Sequence, residues 1–345
     1  MRWRAAVVVI AIAAAAIPLP ARAFERVYGA AFYPLWQSWM TAASNATRVS
    51  VLDLFIAGVV AAWLAAAAVD ISRARWRSIR TIAIRTIVWA AAIYLFFVCS
   101  WGFNYRRIPL GEKLALDAGR VSAEAARALA ANAVARVNAL YRQAHSEGFP
   151  TTGVVDSRMA TAFDHAQREL GAARGAVPGR PKTSWLDLYF RRAVVDGMTD
   201  PFFLETLTAS DLLPFERTFV VAHEWAHLAG YANEGEANFV GWLTCLRGDE
   251  AQQYSGWLFL YGEAAATLPR RDRADLSRQL DDGPRADLAA IADRVARNAS
   301  PRVAEAGWRV YNEYLKANRV ESGTRSYTEV VRLVLGTRYR DEATR

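Results

Sequence analysis

Residues 221–238 read VAHEWAHLAGYANEGEAN, and this stretch decides how the rest of the chain is read. His223 and His227 stand four apart, Glu224 follows the first, and the whole chain holds only four histidines. On a helix, positions i and i+4 share one face. Both imidazoles can then converge on one point, where Zn²⁺ takes nitrogen ligands at about 2.0–2.1 Å. Glu224 is turned about 100° around the helix, near enough to accept a proton from a water activated at the metal. Pro214 suits a first helical turn and Glu216 suits its dipole. Phe215, Phe219, Ala222 and Ala226 repeat at helical spacing and give that helix an apolar face. Gly230 falls where a left-handed residue ends a helix. Asn233 then caps a second helix with the apolar run Ala237, Phe239, Val240, Trp242 and Leu243, and Gly248 at its end. The pattern predicts a helix–turn–helix with acidic side chains facing back towards the histidines.

A catalytic zinc site needs a third protein ligand. Glu234 and Glu236 are the candidates, and each has a bland reading. Asn233 with Glu236 fits a capping box, and Glu234 in the first turn complements the helix dipole. Glu234 is the preferred ligand, Glu236 the alternative, and Glu263 and Asp249 are more distant choices.

The run HEWAHLAGYANEGEANF at 223–239 resembles the zinc-site signature of an uncharacterised family of bacterial polytopic membrane proteins, a domain of unknown function related by motif to the gluzincin metallopeptidases. WGFNYRRIPL at 101–110, YSGWLFLY at 254–261, VYNEYLKAN at 310–318 and SYTEVVRLV at 326–334 extend the likeness over nearly the whole chain. The resemblance implies a third-ligand glutamate in an E-x-x-A-D or E-x-x-A-N frame, which here falls on Glu234, Ala237 and Asn238. The interval from His227 to Glu234 is shorter than in most gluzincins. It is closer to the metzincin arrangement, although Asn233 stands where that ligand would be a histidine. The resemblance also implies a strand ahead of the zinc helix as the edge on which substrate backbone lies, with Phe202–Thr208 as its candidate.

The remaining composition says where this chemistry happens. A hydrophobic content of 53% over 345 residues leans towards a membrane protein. Three apolar stretches, Ala5–Leu19, Leu54–Val69 and Thr86–Phe103, are candidate spans. The first also fits a cleavable signal peptide, with Pro18, Pro20 and the small-x-small Ala21-Arg22-Ala23 behind it; the family resemblance favours a retained helix. Arg73, Arg75, Arg77, Arg80 and Arg85 crowd the turn between the second and third stretches, and basic short loops stay cytoplasmic. Everything after Tyr105 is therefore expected outside the cytoplasm. Arg106-Arg107 is the opposing signal. This divides the chain into a membrane region, 1–105, in the cytoplasmic (inner) membrane, and an extracytoplasmic metallopeptidase-like domain, 106–345.

The net charge of +8 is largely spent on these flanks. No basic stripe interleaved with aromatics marks a nucleic-acid surface. Cys99 and Cys245 lie on unlike segments and read as buried thiols. From 106 onwards the pattern is helical with a small strand component: a helix at Ser122–Ala144, another capped by Asp156 through Leu170, a Gly/Pro loop at Gly171–Pro181, and strands within Trp185–Thr208. His145 and His165 read as structural or surface residues. The fold expected is mainly α, with N-terminal transmembrane helices and an α-rich α+β zincin-like domain.

The chemistry expected is metal-assisted hydrolysis of an amide in an envelope peptide or protein. His223, His227 and Glu234 hold Zn²⁺, Glu224 is the general base, and Tyr254 or Tyr261 stabilises the oxyanion. The partners are the lipid bilayer and that substrate. Two other readings compete: a zinc-stabilised sensor or scaffold without catalysis, and an amidase of a cell-wall cross-link. Glu216, Arg217 and Glu224 make the motif helix too polar to span lipid.

Overall fold

A computed structural model describes residues 2–16, 20–74, 78–317 and 329–344. Pro18, Arg75, Arg77, Asn318 and the start of the SYTEVVRLV run (326–328) lie outside the described residues. The described residues are mainly helical, with one small three-stranded sheet.

Among the described residues, two helices are long and apolar enough to cross a membrane, Val51–Arg73 and Ile79–Ser100. At 1.5 Å per residue the longer measures about 34 Å, enough for a hydrocarbon core of about 30 Å. They correspond to the second and third apolar stretches. The first stretch forms helix Arg2–Ala16, which packs along Ser78–Ser100. It passes as a span only when paired with Ala21–Asn45, from which it is bent by 116°. Ala21–Asn45 contains a π-helical stretch, Glu25–Phe32, before the α-helix Tyr33–Asn45.

Arg106 and Arg107 hold this bend. Arg106 Nη2 donates to the carbonyls of Ala14 (2.6 Å) and Ala15 (3.0 Å) at the end of the first helix. Arg107 makes a two-pronged pair with Glu25, at 2.8 and 3.1 Å, which Lys113 joins at 2.7 Å. These arginines, which weighed against the topology as flanking charges, are thus tied to named acceptors.

In the rest of the chain, helix Ala123–Glu147 starts on the Ser122 hydroxyl, which accepts from the Ala125 amide at 3.1 Å. Its buried face, Leu129, Ala133 and Val137, packs along helix Glu250–Ala266. Asp156 caps helix Ser157–Glu169 through the amides of Arg158 (2.9 Å) and Met159 (3.1 Å). His145 is a structural residue: its Nε2 lies 2.9 Å from Asp287, a partner 142 residues away.

The sheet comprises β1 (Pro181–Lys182), β2 (Gly197–Thr199) and β3 (Thr206–Thr208), in the order β1-β3-β2. β1 runs parallel to β3, and β2 antiparallel to it with Met198 opposite Leu207. This corrects the expectation for Phe202–Thr208. Only its last three residues are extended, and they form the central strand, so the edge beside the motif helix is β2. A helix, Asp187–Ala193, also interrupts the segment that read as strands. Asp200 explains the shortening: its carboxylate accepts from the amides of Phe202 and Phe203, both at 2.9 Å, and folds residues 200–204 into a turn.

Residues 33–53, which read as part of the membrane region, are bonded into the sheet and its loops. Glu205 accepts from the Leu52 amide at 3.0 Å and pairs with the fully buried Lys182 at 2.5 Å. Asp53 accepts from Ser184 Oγ at 2.6 Å and from the Trp185 amide at 2.8 Å.

Candidate metal centre

The motif forms helix Pro214–Leu228. Glu216 accepts from the Leu213 amide at its start (3.3 Å), and its apolar side, with Phe219, Ala222 and Ala226, is buried. The helix ends as its glycine requires: Gly230 has φ +88°, and the Tyr231 amide reaches back to the Ala226 carbonyl at 3.2 Å. The next helix, Glu234–Leu246, starts at Asn233, whose Oδ1 accepts from the amides of Gly235 (2.8 Å) and Glu236 (3.2 Å). The two helices touch where Gly241 meets the backbone of His223. A Cβ there would come within 3.0 Å of the His223 nitrogen, so no larger residue fits without moving a helix.

That packing brings three donors to one point. His223 Nε2 and His227 Nε2 are 3.1 Å apart, and Glu234 Oε2 lies 3.3 Å from the first and 3.6 Å from the second. A tetrahedral ion with bonds of 2.0–2.1 Å holds its donors about 3.3–3.4 Å apart. The three distances bracket that edge length. Among the described residues, this is the one group of three or more His, Cys, Asp or Glu side chains arranged to hold a metal ion.

The protons argue the same way. His227 Nδ1 faces the Tyr231 carbonyl at 2.7 Å and must carry the hydrogen, which leaves Nε2 as a bare lone pair towards the centre. Two imidazole nitrogens and a carboxylate oxygen that face one another need a shared hydrogen or a metal ion between them. Burial works to raise the Glu234 carboxyl, but His227 and His223 outweigh it and hold it well below the ordinary range. Burial works to lower His227, and Glu234 overrides it to bring the imidazole up to about 9. Without a metal, the cluster takes a proton as its cation.

Glu224 is 3 % exposed and stands beside this point. Burial pushes its carboxyl up, while the two histidines and Thr199 pull it down. Thr199 Oγ1 lies 2.9 Å from Glu224 Oε2 and 2.8 Å from the Glu224 carbonyl. The carboxylate lies over β2 at Gly197, where a Cβ would come within 2.6 Å of Oε1. The general-base candidate therefore sits between the histidines and a sheet edge.

The other sequence candidates lie elsewhere. Glu236 turns away from the histidines: its Oε1 accepts from the Leu110 amide at 2.5 Å, and burial pushes its carboxyl up to about 7. It does not close a capping box with Asn233. Asp249 caps helix Glu250–Ala266 through the Gln252 amide (3.0 Å) and pairs with Arg158 (2.8 Å). Glu263, raised to about 7 by burial, couples electrostatically to His223 but is not one of the three converging donors. Tyr254 gives its hydroxyl to Asp287 at 2.6 Å, and Tyr261 interacts with Ser277; neither is bonded to the cluster.

Besides Thr199, sequence reasoning missed two neighbours of the site. Tyr311, on helix Pro301–Ala317, donates its hydroxyl to Glu234 Oε1, the oxygen not aimed at the histidines. Trp101 donates from Nε1 to the His227 carbonyl at 3.2 Å. Both lie in runs that carried the family resemblance, WGFNYRRIPL and VYNEYLKAN, and nothing in their spacing pointed to the histidines.

A family model described as a protein of unknown function (DUF3810) matches residues 28–335. The chain belongs to that family. The match takes in both spans, the helix Tyr33–Asn45, the sheet and the His223–Glu234 cluster. No curated protein matches the chain, and neither does any solved structure.

Proposed function

We propose that this chain is a membrane-bound zinc hydrolase that cleaves peptide bonds in the cell envelope. The observation that carries the reading is the triangle of His223, His227 and Glu234 at 3.1, 3.3 and 3.6 Å, with Glu224 beside it and not part of it. Three protein donors leave one tetrahedral position free, as catalytic zinc sites require, whereas structural sites take four. Zinc bound there supplies a Lewis acid and lowers the pKa of water towards about 7.

The residues supply the rest. Glu224 takes the proton of the attacking water and passes it to the leaving nitrogen. Its burial, which raises the carboxyl, suits a group that must both accept and release a proton. Thr199 orients the carboxylate from β2, and Tyr311 fixes the outer oxygen of Glu234. The edge of β2 away from β3, which pairs with no strand among the described residues, offers backbone groups next to Glu224, where an extended peptide adds as a further strand. The zincin-like architecture and the outward placement of the metal domain belong to this same proposal; the arginine-rich turn supports the orientation.

Glu224→Gln tests it. In the purified full-length protein, zinc content should be unchanged while hydrolysis of envelope-derived peptides falls roughly 10²-fold or more, the usual scale of general-base catalysis. Turnover equal to wild type would reject the hydrolase and leave a zinc-stabilised scaffold.

A further inference from the structure

Helix Tyr33–Asn45 is built inside out. Its buried residues are Tyr33, Gln37, Thr41 and Ser44, all with polar groups. Tyr33 Oη donates to the Leu228 carbonyl at 2.9 Å, and Thr41 Oγ1 to the Leu204 carbonyl at 2.9 Å. Gln37 bonds both backbone groups of Val177, at 2.8 and 2.9 Å. The outward face carries Leu35, 48 % exposed, and Trp39, 78 % exposed, with Phe32 at 46 % just ahead of them. No charged residue occurs between Arg26 and Arg48. A helix on a water-facing surface has the opposite arrangement, apolar side in and charged side out.

Two connections fix its level. Trp36 Nε1 donates at 2.9 Å to Ser100 Oγ, on the last residue of the span Ile79–Ser100. The helix ends at Asn45, and the other span begins at Val51. The spans are joined at their far ends by the short segment between Arg73 and Ile79, so these two near ends lie at one membrane surface. A helix that connects them runs along that surface, in keeping with its 116° bend from the first helix.

We propose that helix Tyr33–Asn45 lies in the interface of the bilayer, with Phe32, Leu35 and Trp39 in the boundary between headgroups and acyl chains. Amphipathic interfacial helices bind membranes in this way. Here the polar face is taken up by the protein instead of by water. Through Tyr33 that face holds the end of the motif helix, one residue from His227, at the membrane surface. The inference rests on the two spans. Combined with the hydrolase reading, it narrows the substrate to polypeptide segments that lie on the bilayer or leave it.

Spin-label accessibility tests the placement without reading turnover, so its failure and that of the hydrolase reading are separable. Single cysteines at Leu35, Trp39 and Ala42 are labelled in the full-length Cys99→Ala chain, reconstituted in nanodiscs of phosphatidylethanolamine and phosphatidylglycerol. Labels at Leu64, in mid-span, and at the exposed Arg273 serve as references. The three test labels should collide with oxygen, relative to a nickel chelate, several-fold more than the Arg273 label does. Access to nickel equal to that of the Arg273 label would put the face in water and overturn the proposal. Protection from both relaxants would mean that a second copy or another protein covers it, which overturns it equally. Ala42→Cys removes no large side chain, so the test survives if the Trp39 variant does not fold.

Discussion

Glu234→Gln and Glu236→Gln differ by two residues, and the geometry predicts opposite results for them. Glu234 supplies one of three converging ligand atoms, whereas Glu236 Oε1 accepts from the Leu110 amide. Loss of a partner that only orients a ligand costs roughly 10–100-fold in metal affinity, so loss of a ligand should cost about 100-fold or more. At free zinc of about 1,000 times the wild-type Kd, binding stabilises the folded protein by roughly 4 kcal/mol. A 100-fold weaker site at the same free zinc keeps only about 1.4 kcal/mol. For a domain of this size each kcal/mol shifts Tm by about 2–4 °C. Zinc should thus raise Tm by roughly 8–16 °C in wild type and about 3–6 °C in Glu234→Gln. Glu236→Gln keeps an oxygen that accepts from the Leu110 amide, so it should unfold close to wild type in both conditions, with its zinc shift intact. The assay is calorimetry of the full-length protein in nanodiscs, with zinc buffered or chelated. A zinc shift kept in Glu234→Gln and lost in Glu236→Gln would refute the ligand assignment.

Arg294, 4 % exposed, contacts Asp196 (2.9 Å), Asp211 (3.5 Å) and Glu216 (2.5 Å), and so ties helix Asp282–Asn298 to the start of the motif helix. Arg294→Met strands these carboxylates and should cost about 3–5 kcal/mol in urea unfolding; a loss under 1 kcal/mol would deny the clamp. Burial and the nearby Asp196, against the pull of Arg294, raise Glu216 to about 7, so its contribution to stability is full below about 4.5 and fades as pH rises through 7. In zinc-free protein, Glu216→Gln should match wild type at pH 5 and exceed it at pH 8 by up to about 3 kcal/mol; equal stabilities at both pH values would contradict this. A reporter fused after Arg345 should act outside the cytoplasm and one at Ser78 inside, as the arginine turn requires; cytoplasmic activity of the C-terminal fusion would reverse the orientation.

The motif's helix–turn–helix was legible because its determinants are local. An i, i+4 pair, a proline at the start, Asn233 as cap and a glycine with φ +88° all act within one or two turns. The preference for Glu234 over Glu236 rested on the capping-box reading of Glu236 and on the E-x-x-A-N frame that the family resemblance implies. What the spacing did not carry was any partner brought in from afar. Thr199 is 25 residues from Glu224, and Tyr311 is 77 from Glu234. The edge strand was misplaced for a related reason. The composition of Trp185–Thr208 reported extended propensity but not pairing order, and the turn made by Asp200 left only three residues for β3.

Helix Tyr33–Asn45 escaped notice because hydrophobic periodicity has no sign. Apolar residues at 32, 35 and 39 with polar residues at 33, 37, 41 and 44 describe an amphipathic helix whichever face the protein covers. Sequence reading assigns the apolar face inwards, and a helix with Gln37, Thr41 and Ser44 as its core face then looks like a loop. The orientation is decided by backbone groups at Val177, Leu204 and Leu228, which accept or offer hydrogen bonds and can be met only by polar side chains. Once those bonds are made, the apolar residues have only the outside left to them. In the interfacial placement proposed above that outside is lipid, so a polar core face is the mark expected of a helix with the membrane on its other side.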